Sequence, residues 1–288
     1  MGATGTEHYR CPNCGRDIIT DDRNCPDCKT TLAPVNVREA QRTTEQDALQ
    51  RRYDEALQTA KNNDTYDNAM IFEGHLKKSF AVINMELEGL HSFITTKDDK
   101  YLPYARRVNA GEMRPLEAEQ DMLRRKVDKM LFGVDGSDIC YAAISIDGTG
   151  VKKYGNYTIC LSDKEISTRT TLLEEDSFKF TERHNLAEHT EIPPGYRALW
   201  ADRHKLAVAK LAHKLQNSFT DLEYANILVV NRERRNKYDF IEVHIYDGFR
   251  NEAVDKVYGP PPADPDEDIL WSAVKDKLEI KGKQWSER

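Results

Sequence analysis

Four cysteines form two C-x-x-C pairs: Cys11 and Cys14 in C-P-N-C-G, Cys25 and Cys28 in C-P-D-C-K. Pro12 or Pro26 presets the turn inside each pair, so each knuckle aims two sulfurs at one point. Four thiolates complete a tetrahedral shell, which suits Zn(II) better than a redox pair or an iron site. A closed shell holds a fold together, so the chemistry belongs elsewhere. The second candidate is the run D-F-I-E-V-H-I-Y from Asp239 to Tyr246. Alternation puts Ile241, Val243 and Ile245 on one face, and Phe240, Glu242 and His244 on the other. A carboxylate between an aromatic ring and an imidazole on a rigid strand can line a cleft. Periodicity alone favours a plainer reading, a half-solvated strand with its polar residues outward.

Standard enzyme signatures fail on specific residues. Gly148-Thr149-Gly150 begins a dinucleotide fingerprint, but Lys153 stands where its third glycine belongs. Gly150 to Gly155 has phosphate-loop spacing, but Asn156 and Tyr157 follow in place of Lys and Ser/Thr. His184 to His189 reads H-x-x-x-E-H, one residue longer than the inverted zinc-protease motif, and no G-x-S-x-G occurs.

Charge narrows the partners. Forty-two basic against 49 acidic side chains leave a net charge of −7, which argues against a general nucleic-acid coat protein. Residues 1–35 carry four basic and five acidic side chains, so the ribbon suits a protein contact or a cap on the fold. Positive charge concentrates in Arg197 to Lys214 and in Asn231-Arg232-Glu233-Arg234-Arg235-Asn236-Lys237. No apolar run approaches the ~20 residues of a membrane span. Cys140 and Cys160 fall in expected strands as free buried thiols, which implies a reducing, cytoplasmic compartment.

The elements that must position these groups follow from periodicity and punctuation. A helix from Thr44 buries Leu49, Tyr53, Leu57 and Ala60 and ends at Asn62-Asn63-Asp64. A strand over Ser79 to Ile83 leads to Asn84 as a helix cap, with Leu87, Leu90 and Ile94 inward. A helix after Pro115 carries Leu116, Leu123, Val127 and Met130 and stops at Gly133. Strands follow at Ile139 to Ile146, Tyr157 to Leu161, Arg169 to Leu173 and Phe178 to Phe180. A long helix spans Leu199 to Gln216, and a hairpin pairs Ile227 to Val230 with Tyr238 to Tyr246. After Gly259-Pro260-Pro261-Pro262 comes an amphipathic helix with Leu270, Val274 and Leu278. The class is α+β. Its parts are a zinc ribbon (1–35), a helical linker (36–68), a main domain (69–258), and a proline-rich linker with a terminal helix (259–288).

Tyr154-Gly155, a strand, Arg169-Thr170-Thr171, a short gap and Asp176-Ser177, followed by D-F-I-E-V-H-I, resemble a recurring pattern of bacterial and phage ADP-ribosyltransferase-like proteins. Phe80 to Ile94 is similar to the opening strand and helix of that family, so the resemblance spans roughly residues 70–258. It implies a split β-sheet core with flanking helices and NAD as substrate. By the same resemblance Glu242 is the catalytic glutamate. A fixed carboxylate would stabilise the oxocarbenium ion that forms as nicotinamide leaves the ribose. Tyr154 and Arg169 would hold the nicotinamide and phosphate ends of NAD, and His244 would assist at the cofactor site. Arg169 reads equally well as a surface strand residue. The loop before the glutamate strand tends to recognise the target in this family. Arg232, Arg234, Arg235 and Lys237 would then meet an acidic acceptor, either nucleic acid or protein. The implied enzyme is a toxin or defence effector, with the ribbon available to a partner or antagonist protein. The family's first-strand His or Arg is absent from Ser79 to Ile83. That departure suits the alternative, a non-catalytic zinc-ribbon adaptor of the same fold.

Overall fold

The computed structural model describes residues 9–18, 22–96, 100–111, 114, 117–187, 190–232 and 237–288. The ribbon holds β1 (Tyr9–Arg10) and β2 (Asp17–Ile18). Three helices follow: α1 (Val35–Ala40), α2 (Thr43–Asn62) and α3 (Tyr66–Lys77). Next come β3 (Phe80–Met85), α4 (Leu87–Thr95), β4 (Lys100–Tyr101), α5 (Tyr104–Asn109) and α6 (Ala118–Phe132). The central strands are β5 (Ile139–Ser145), β6 (Tyr157–Leu161) and β7 (Thr170–Leu173), with α7 (Asp163–Ile166) before β7 and α8 (Ser177–Arg183) after it. Then come β8 (Arg197–Leu199), α9 (Arg203–Leu211), α10 (Asp221–Leu228), β9 (Val230–Arg232), β10 (Lys237–Asp239) and β11 (Glu242–Tyr246). The chain closes with β12 (Phe249–Arg250), β13 (Val254–Gly259), α11 (Pro265–Ile280) and β14 (Gln284–Glu287).

Eight strands form one sheet in the order β14-β13-β6-β3-β5-β11-β7-β8. Only the β13–β14 pairing is parallel, so the sheet is mixed and the class is α+β. β11 lies in the interior, with Glu242 opposite Ala143 and Leu173, and His244 opposite Tyr141 and Thr171. One face buries Ala142, Ile144, Leu172, Val243 and Ile245 with side chains from α3, α4 and α9 in a single core. The other face packs Ile139 and Leu173 against Val127, Leu131 and Phe132 of α6 and Phe180 of α8. Both faces of β11 are therefore covered, and Phe240, Glu242 and His244 are all buried. The half-solvated strand that alternation suggested is not what forms.

Several elements depart from the sequence reading for identifiable reasons. Phe178 to Phe180 is helical, because the Asp176 side chain accepts from the amides of Phe178 and Lys179 and starts α8. Asn84 lies within β3 and caps nothing; its Nδ2 donates to Gly155 O and Thr158 Oγ1, each at 3.0 Å. On α6 the inward stripe includes Arg124 and Asp128, while Leu123 is half exposed. The long helix from Leu199 is shortened to α9 between two 3-10 turns, Trp200–Asp202 and Ala212–Lys214. The hairpin ends at Asp239: β9 pairs with β10, whereas β11 pairs with β5 and β7. The terminal helix docks on the main domain, where α11 buries Trp271, Val274 and Leu278, and β14 adds to the sheet a strand that the sequence did not show.

Candidate functional site

The four cysteine sulfurs lie within 4.8 Å of one another, with Cys11–Cys28 at 3.5 Å and Cys14–Cys25 at 3.6 Å. Metal–sulfur bonds of about 2.3 Å in a tetrahedron require sulfur separations of about 3.8 Å, so the set can hold a metal ion and is compatible with structural zinc. Both knuckles close identically. Cys11 N donates to Arg16 O and Gly15 N to Cys11 O, while Cys25 N donates to Thr30 O and Lys29 N to Cys25 O. Gly15 (φ 72°) and Lys29 (φ 61°) take the left-handed conformation that the turn demands. Arg16 bridges the knuckles through Asp27 at 2.8 Å. Among the described residues, the ribbon's apolar core comprises Cys11, Ile18, Cys25 and Leu32 with Tyr9 and Cys28 beside them. It docks through Arg23, which pairs with the buried carboxylate of Asp138 and lies 5.8 Å from the Tyr246 ring.

The second site is built on β11. Glu242 is 4 % exposed, and its Oε2 accepts from Ser177 N at 3.0 Å and pairs with His244 Nε2 at 2.9 Å. Ser177 offers one of the amides that a helix start leaves unpaired, and Asp176 satisfies the next ones. The His244 ring stands edge-on to Phe132 (4.8 Å) and Tyr141 (5.3 Å), which fixes its plane. Tyr141 in turn donates to Asp128 Oδ1 at 2.5 Å.

Arg124 closes the cluster from α6. Its guanidinium lies 3.5 Å from the Tyr141 ring centroid and 5.4 Å from that of Phe178. Nε sits 3.2 Å from Asp128 Oδ1, off the hydrogen-bonding direction. Burial works against the Arg124 charge, but Tyr141, Asp128 and Glu242 outweigh it and keep the group protonated. Asp128 is pushed up by burial, with Glu242 acting in the same sense, against the pull of Arg124 and Tyr141. Asp176 is likewise pushed up by burial and then by Glu242. Tyr154 reaches this field from the loop between β5 and β6. It is 53 % exposed, yet its surroundings, Asp176 and Glu242 all push its phenol up. Gly155 makes that placement possible. At φ 131° it passes so close to the Met85 carbonyl carbon that an added Cβ would sit 2.2 Å away.

Of the residues singled out from sequence, the fold puts Glu242 and His244 in direct contact, and Tyr154 within their electrostatic reach. Arg169 stands apart. It lies at the opposite end of β11, about 13 Å from Glu242 at ~3.3 Å per strand residue. There its Nη1 donates to the carbonyls of Tyr246, Asp247 (3.1 Å) and Gly248 (3.4 Å), holding the turn after β11. Arg232 and Lys237 face each other as register partners across β9 and β10, whereas Arg234 and Arg235 lie outside the described residues. The hairpin is fastened beside the cluster. Asn231 accepts from Lys152 N and donates to Gly150 O, Lys179 Nζ donates to Tyr238 O, and Lys153 Nζ lies 4.6 Å from the Tyr154 ring and 5.2 Å from the Tyr238 ring.

Sequence reasoning missed Arg124, Asp128 and Tyr141. The i,i+4 spacing of Arg124 and Asp128 on an expected helix was the available signal. No known family model matches the chain, and no curated protein sequence does.

Proposed function

We propose that this chain is an ADP-ribosyltransferase-like enzyme with Glu242 as its catalytic carboxylate. The observation that carries the reading is the held carboxylate: Glu242 Oε2 is fixed by the Ser177 amide and the His244 ring, in an electrostatic field shared with Arg124 and half-exposed Tyr154. The C1′–N bond of NAD breaks and nicotinamide leaves with the bonding electron pair. An acceptor hydroxyl or amine then attacks the ribosyl cation and releases a proton. Glu242 supplies negative charge beside that cation, and a carboxylate with little freedom to reorient is effective in that role. Tyr154 offers a ring for the nicotinamide. Arg124, whose planar guanidinium is held by ring stacking, is a better placed anion partner than Arg169. The acceptor is an acidic macromolecule, consistent with the basic hairpin fastened beside Tyr154. The four cysteines hold Zn(II) in a structural role, as a thiolate set without an open position does.

NAD labelled in its adenylate phosphate tests this. Incubation with the protein and a mixture of nucleic acids and acidic proteins is expected to leave covalent label on one acceptor, with an equal amount of free nicotinamide. Label in neither fraction, with NAD intact, would sink the enzymatic reading.

A second reading has its own support. Glu242 is only 4 % exposed, and its two partners lie on β11 itself and on α8, so the same carboxylate braces α8 to the sheet. On this reading the chain is a non-catalytic adaptor, and the ribbon or the basic hairpin contacts its partner.

A further inference from the structure

A buried side chain on α1, just after the ribbon, reaches β11. Leu32 belongs to the ribbon's core, Pro34 precedes α1, and Asn36 is the second residue of that helix. Asn36 is 3 % exposed, among residues where an apolar side chain would cost less to bury. Its Nδ2 lies 3.2 Å from each of three acceptors: Arg169 O, Thr171 Oγ1 and the carbonyl oxygen of His244. Its Oδ1 has no partner among the described residues, and Asn36 shares with Arg197, Phe132 and His244 a cavity of about 10 Å³. A second tie runs parallel to this one. Arg23 of the ribbon grips Asp138, whose carbonyl accepts from Asp247 N just beyond Tyr246. Helix α1 therefore bears on β11 at His244, and the ribbon itself bears on it at its far end.

We propose that Asn36 is a positioning residue that transmits the metal-bound state of the four-cysteine ribbon to the Glu242–His244 pair. The ribbon's core is too small to hold its shape by apolar burial alone, so the ion sets the shape. Helix α1 has six residues, too few to be stable in isolation, so its seat on β7 and β11 depends on what precedes it. When the ribbon loosens, α1 shifts, the His244 carbonyl loses the donor that Asn36 adds to its ladder pairing with Thr171, and the imidazole that orients Glu242 moves. The inference rests on the Glu242–His244 pair being the working centre, but its readout is the His244 ring and not turnover.

The test uses the full chain loaded with Zn(II). Imidazole ¹H–¹⁵N signals of His244 and amide exchange at Val243 and Ile245 are recorded before and after chelation, in wild type and in Asn36→Ala. In wild type, chelation should displace the His244 signals and speed exchange at both amides on the order of tenfold, and added Zn(II) should restore both. Asn36→Ala should show the chelated His244 signals with metal still bound, and chelation should displace those signals no further. Leu278→Ala, a core deletion on α11, should lower the melting temperature without displacing the His244 signals. The proposal is overturned if chelation unfolds the ribbon and leaves His244 unmoved, or if it displaces His244 equally in Asn36→Ala. Should Asn36→Ala not fold, Asn36→Ser keeps one donor and should give an intermediate displacement; none at all would also overturn the proposal.

Discussion

A carboxylate can be buried for support or for chemistry, and at Glu242 the two are entangled. Oε2 accepts from Ser177 N and His244 Nε2, so removing the side chain strands two buried polar groups at about 1–3 kcal/mol each. Glu242→Ala would therefore confound folding with activity, and the isosteric Gln is the informative change. Tyr154 separates the two roles more cleanly. It is half exposed, and truncation there should cost within about 0.5 kcal/mol. If its ring receives nicotinamide, Tyr154→Ala should raise the KM for NAD several-fold with an unchanged urea midpoint. An unchanged KM would remove Tyr154 from the site.

At the scale of elements, α8 presents the Ser177 amide to Glu242, and Asp176 starts α8. Asp176→Ala should cost about 1 kcal/mol in a urea titration, as the loss of a helix cap does. It should also lower turnover more than an equally destabilising change on α11, because Ser177 would lose its orientation. Gly155→Ala should be worse for stability than any exposed substitution nearby, since its Cβ has no room beside Met85. Much of this was legible in the chain. The two knuckles, the strand nature of Tyr157 to Leu161 and the role of Gly133 (φ 58°) at the end of α6 followed from spacing and turn chemistry. Alternation also separated Val243 and Ile245 from Glu242 and His244 as the sheet does. It could not show that the second face is covered, because that depends on α6 turning Arg124 and Asp128 inward. Those two residues read as a solvated face until Tyr141 and Phe178 are brought against them by tertiary packing. Helix α10 was missed although Thr220 and Glu223 spell its capping box, and β14 because only its pairing with β13 makes Gln284 to Glu287 a strand.

At the scale of the whole molecule, the parts are clamped by charge as well as by the core. Burial acts to raise the Asp247 pKa, but hydrogen bonds from Lys100 and the Gly248 amide and the charge of Arg106 outweigh it and hold the carboxyl below its ordinary range. Its contribution to stability is present above the unfolded-state pKa, about 3.9, and is lost as pH falls through the lower folded value. Asp247→Asn should thus destabilise the protein near pH 7 and progressively less below pH 4, read as melting temperature against pH. Asn tolerates the φ of 60° at this position, so backbone strain should not obscure the result. Chelation should remove amide protection from residues 9–18 and 22–31 while the eight-stranded sheet still melts cooperatively; protection unchanged there would refute the metal site. The most direct measurement of the central claim compares nicotinamide release by wild type and Glu242→Gln at matched concentration, with melting temperatures recorded alongside. The account predicts release by the wild type, a loss of at least about 100-fold in the variant, and melting temperatures within a few degrees. A variant that turns over NAD as fast as the wild type would contradict it.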